Sequence, residues 1–95
     1  MLHRTMSDPL PLALRRDLED VLGHLQYARR NDDLGRLALL TCWDVRRWAR
    51  RAHEERLAQQ ASDLFTAQPH PSRAAFFDQV DSMIAELERI RTQTH

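Results

Sequence analysis

Lysine is missing from this sequence altogether, and glycine, proline and cysteine are scarce, at two, four and one residues in 95. Each scarcity excludes something. The single thiol, Cys42, cannot close a disulfide within the chain, so no cross-linked scaffold is built and a reducing compartment is the expected setting. No phosphate-cradling glycine loop is present. No stretch alternates apolar and polar residues as a strand requires, and no apolar run approaches the roughly 20 residues that cross a bilayer. The opening MLHRTMSDPLPL lacks the apolar segment of a secretory signal. The expected location is therefore the cytoplasm, with no membrane association. Fourteen arginines balance fourteen acids, and a formal net charge of zero gives the whole chain no electrostatic pull toward nucleic acid. Lysine's absence beside abundant Arg, Ala and Leu reads as the codon bias of a GC-rich bacterial genome.

What is present favours helix throughout. The length suits one small domain with a modest stability margin. Residues 1–8 are expected to form a flexible tail ahead of a single domain over 9–95, and Met6 is an alternative start. Ser7 and Asp8 before Pro9 form a helix-start signal, while Pro11 biases Leu10 away from the α region and pushes the start later. Leu14, Leu18, Val21, Leu22, Leu25 and Ala28 then recur at helical spacing. Gly23 interrupts that helix, a weakness that close approach of another helix would offset. Asn31, Asp32 and Asp33 end it, and either aspartate is placed to cap the next helix. So short a connection predicts an antiparallel hairpin.

The second helix, LGRLALLTCWDVRRWARRA over residues 34–52, holds both tryptophans and the cysteine. At 100° per residue, Leu34, Ala38, Thr41, Val45, Trp48 and Ala52 share one arc, with Leu37 at its edge, and this is the expected core face. Arg36, Leu39, Leu40, Trp43, Arg46, Arg47 and Arg50 occupy the other side. The first half of the helix is thus apolar nearly all round. Such a helix is either sandwiched between neighbours or offers Leu39, Leu40 and Trp43 to a partner.

Leu57, Ala61, Leu64 and Phe65 form a further stripe about half a turn from that of Val45 and Trp48, which predicts a break near His53 and Glu54 and a third helix over about 55–66. ARRAHEERLA holds no Gly or Pro to force the break, so a continuous helix, giving three in all, is the alternative. Gln68, Pro69, His70 and Pro71 read as a loop, and Ser72 as the cap of a last helix running to about Arg91. Its face, Phe76, Phe77, Val80, Met83, Ile84, Leu87 and Ile90, is the widest in the chain. If that face is open on one side, the protein is a dimer. The expected fold is all-α, a small four-helix up-down bundle made of two helical hairpins. A helix pair of this length starting at Leu34 and Gly35 resembles a tetratricopeptide repeat only at that step. Ala38 stands where the repeat has an aromatic and Arg47 where it has a small residue, so the family is not assigned.

Catalytic signals are thin. His3, His24, His53, His70 and His95 are scattered, without metal-ligand spacing, so no metal or cofactor is expected. Arg46, one turn from Cys42, favours a lowered thiol pKa, but mid-helix beside a core stripe the cysteine reads as a small buried hydrophobe. Asp17 with Asp20 and Asp78 with Asp81 read as solvated helix surface. The informative cluster is Leu39, Leu40 and Trp43 ringed by Arg36, Arg46, Arg47 and Arg50, because Trp and Arg are the residue types that most often anchor interfaces. It predicts a non-enzymatic adaptor or regulator that binds another protein, or itself as a homodimer, the partner surface being apolar with an acidic rim. The same arginines together with Arg51 admit a nucleic-acid-associated regulator as the alternative. Against that stand the neutral total charge and the pairings expected of Asp44 with Arg47, Arg50 with Glu54 and Arg51 with Glu55.

Overall fold

A computed structural model describes residues 10–66 and 72–93, without the side chains of 65 and 66. The chain is all-α, with four helices and no strand among the described residues. Helix α1 is Leu12–Arg30. Helix α2 is one rod over residues 34–51, α-helical in Leu34–Leu39, π-helical in Leu40–Val45 and α-helical again in Arg46–Arg51. Helix α3 is Glu55–Thr66 and helix α4 is Arg73–Gln93. The expectations for Ser7, Asp8 and Pro9, for the tail over residues 1–8, for the Phe65 side chain and for the Gln68, Pro69, His70 and Pro71 loop fall outside the described residues.

Both tight turns close in the same way. At the end of α1 the Asp33 amide donates to the Ala28 carbonyl at 3.0 Å and the Asp32 amide to that of Arg29 at 3.1 Å, with Asp32 at φ 50°. At the end of α2 the Glu54 amide donates to Ala49 at 2.8 Å and the His53 amide to Arg50 at 3.2 Å, with His53 at φ 60°. Each is a Schellman closure, in which a left-handed residue lets two amides satisfy the last free carbonyls of the helix. The break near His53 and Glu54 therefore occurs without Gly or Pro. Asp33 then caps α2, its carboxylate accepting from the Arg36 amide at 3.2 Å, and the Ser72 hydroxyl accepts from the Ala75 amide at 3.0 Å to cap α4. Pro11 stands at the N-cap of α1 with no side-chain cap, so the helix starts late, at Leu12.

Packing joins α1 to α2, α2 to α3, α3 to α4 and α4 back to α1. Side-chain contacts give the directions. Trp48 Nε1 donates to the Leu14 carbonyl at 2.8 Å and Arg51 pairs with Asp17 at 2.8 Å, which sets the end of α2 beside the start of α1. Arg29 meets Asp81 at 2.8 Å while Arg91 meets Glu19 at 3.4 Å, so α1 and α4 also run oppositely. One buried cluster links all four helices, with Leu18, Leu22, Leu25, Leu37, Val45, Trp48, Leu57, Val80, Met83 and Leu87 at its centre. The predicted stripe of α1 is buried entire. In α4 the wide face is shared between two neighbours: Phe76, Val80, Met83, Leu87 and Ile90 are buried, and Phe77 and Ile84 pack partly exposed at the margin. Gly23 is exposed, and nothing lies within 4 Å of where its Cβ would be, so no helix approaches it closely.

Candidate functional site: the outer strip of the second helix

The π stretch decides which side chains of α2 reach water. A π turn holds more residues than an α turn, so residues beyond it fall short of their α-helical angle and the buried face swings round. Leu37, Leu40, Thr41, Val45, Trp48, Ala49 and Ala52 are buried, whereas Ala38 is exposed and Leu34 only half-buried. Two expectations are corrected here. Leu40, read as part of the partner face, is 6 % exposed and belongs to the core, and Ala38, read as core, does not. The Thr41 hydroxyl donates to the Leu37 carbonyl at 2.8 Å and lies 3.2 Å from that of Ala38. It supplies a donor to backbone acceptors where the helical ladder changes register.

Leu39 and Trp43, by contrast, are each 62 % exposed. A tryptophan left in water on a rigid helix forgoes the burial that a ring of 150–250 Å² ordinarily gains, so this placement is the feature to explain. Arg46 lies 5.9 Å from the Trp43 ring centre, within cation–π range. Arg36 and Arg50 are exposed and Arg46 is half-buried. Arg47 stands 4.0 Å from Asp44, as the spacing predicts. Arg51 departs from expectation, pairing with Asp17 across the helix interface and not with Glu55. Of the seven residues assigned to the partner face, six are thus at the surface and Leu40 is beneath it.

Cys42 adjoins this strip, half-buried. Burial pushes its thiol up, and Arg46 pulls it back by less. The expected lowering by Arg46 is outweighed by desolvation. Arg50 also lines a groove of about 360 Å³ between α2 and α3, together with His53, Glu55, Ala58, Gln59 and Ser62. Glu55, Ala58, Gln59 and Ser62 of α3 were missed by periodicity, because a groove belongs to two helices and only their packing brings it into being. A larger opening of about 710 Å³ lies between α3 and α4 and is lined largely by polar side chains, among them Gln60, Asp63, Asp78 and Glu86.

Among the described residues no group of three or more His, Cys, Asp or Glu side chains is placed to hold a metal ion, and no helix is long and apolar enough to cross a membrane. Compared with family models, with curated proteins and with solved structures, the chain matches none, and the function of this strip has to be read from its own residues.

Proposed function

We propose that this protein acts by binding another protein through the strip Leu39, Trp43, Arg46, Arg47 and Arg50, with Arg36 at its edge, and that its activity is that association and not a chemical step. The carrying observation is the exposure of Leu39 and Trp43, 62 % each, on a helix whose other side is anchored in the core. A rigid aromatic held in water loses little conformational entropy on binding and gains its buried area, which is why such residues dominate interface energies. The cytoplasm is the proposed setting, where a lone thiol stays reduced.

Nucleic-acid binding is the weaker reading. Two of the arginines it needs have acids at hand, Asp44 for Arg47 and Asp17 for Arg51, and the total charge is zero. The test is a photo-crosslinking residue at position 39, with a control at exposed position 93, in cells that express the protein. The reading predicts a discrete protein adduct from position 39 that Trp43→Ala abolishes. Adducts to nucleic acid, or none distinct from the control, contradict it.

A further inference from the structure

We propose that the occupant of this strip is a short acidic amphipathic segment of another protein, about one helix wide, lying along α2 and into the groove between α2 and α3. The proposal rests on the binding role just given and names the partner's chemistry. Three observations carry it. The first is size: among the described residues of α2 the exposed large apolar side chains are Leu39 and Trp43, with Leu12 and Tyr27 exposed on α1, whereas stable interfaces between globular domains engage roughly 20–30 residues a side. A pair of anchors on one helical strip suits a segment.

The second is charge. Helix α2 holds five arginines against Asp44 alone. Arg51 is engaged by Asp17, and Arg47 has Asp44 within 4.0 Å. Arg36, Arg46 and Arg50 meet no carboxylate among the described residues at ion-pair distance. Guanidinium forks of this kind pair best with carboxylates supplied in register from outside. A second copy of this chain is a poor occupant for the same reason. Two-fold pairing sets a patch against itself, which turns these arginines on one another.

The third is shape. Arg50 belongs both to the strip and to the groove, whose walls carry one acid, Glu55, and where Ala58 and Ser62, one turn apart on α3, present short side chains and Gln59 stands exposed. Small residues there let a partner backbone come close beside Arg50. A flat anionic bilayer has no part that enters such a groove.

A display library of random 12-residue peptides, selected on the full chain, tests this. The expected result is enrichment of peptides with Asp or Glu and with Leu, Phe or Trp at helical spacing. A recovered peptide, made synthetically, should bind at least tenfold more weakly to Trp43→Ala and to Ser62→Glu, each first checked for native melting. Selection on the variant carrying Arg36→Glu, Arg46→Glu and Arg50→Glu should lose the acidic bias. Several results overturn the proposal: no enrichment, enrichment without an excess of acids, binding indifferent to Ser62→Glu, dimerisation of the free chain in sedimentation, or tighter binding to phosphatidylglycerol vesicles than to the peptide. If position 39 still crosslinks to a protein in cells while selection fails, the acidic-segment proposal falls and the binding role stands. If both fail, both fall.

Discussion

At the scale of single residues, the side chains that matter most are those that break an expectation. Gly23 does so in the middle of α1, since its surroundings are empty and its backbone is ordinary helix. Gly23→Ala should therefore raise stability by about 1 kcal/mol, the helix-propensity difference with no steric charge against it; urea unfolding would show no gain if the site were crowded. Cys42 gives a second prediction. Because burial raises its thiol pKa more than Arg46 lowers it, alkylation by iodoacetamide should reach half its limiting rate at a higher pH than for a free thiol. A half-point below that of a free cysteine would mean that Arg46 wins. Residue-level reading of the sequence was sound where one helix decides the outcome, as for the core leucines of α1, and it left Leu39 and Trp43 open between a sandwiched and an exposed placement. It failed at Leu40, whose burial depends on a change of helical pitch that no single residue announces.

At the scale of elements, the break between α2 and α3 was legible because two apolar stripes half a turn apart cannot share one straight helix and one core. The means of the break was not legible, because His53 takes the left-handed conformation usually left to glycine. The π stretch likewise carries no Gly or Pro as a warning. Its one sequence mark is Thr41, a buried hydroxyl in mid-helix that bonds back to the Leu37 carbonyl. Thr41→Val keeps the shape and removes the donor. It should cost about 1 kcal/mol, the net worth of one hydrogen bond, as measured by the urea midpoint. An unchanged or higher midpoint would mean that this hydroxyl does not help hold the widened turn.

At the scale of the whole molecule, zero net charge conceals an uneven distribution. Helix α2 is strongly cationic, and the acids that balance it lie on the other helices and in the turns. Some tie helices together, as Asp81 does through Arg29 and Glu19 through Arg91. Another, Glu86, is held below the usual carboxylate range, first by its hydrogen bond from Arg89, with burial opposing and the fields of Arg89 and Arg56 helping. A carboxyl whose folded pKa is depressed contributes stability that is in place above its unfolded pKa and is lost as the pH falls through the folded value. Glu86→Gln should therefore lower stability at neutral pH and flatten the acid side of the stability–pH curve below about pH 4.3. Curves that run parallel through that range would contradict the assignment. The all-α class and the four helices were legible from stripe and cap signals. The α2–α3 groove was not, since it arises only from the packing of two elements.

The central claim, that α2 holds Trp43 out to meet a partner, is tested most directly by the emission and acrylamide quenching of Trp43 in a Trp48→Phe variant across a wide range of protein concentration. A red-shifted, readily quenched signal at every concentration is predicted, because the ring lies in water and the surrounding arginines keep copies apart. A blue-shifted, shielded signal at every concentration would place Trp43 in the core and remove the binding face. A shift to the blue as concentration rises would make the partner a second copy of this chain.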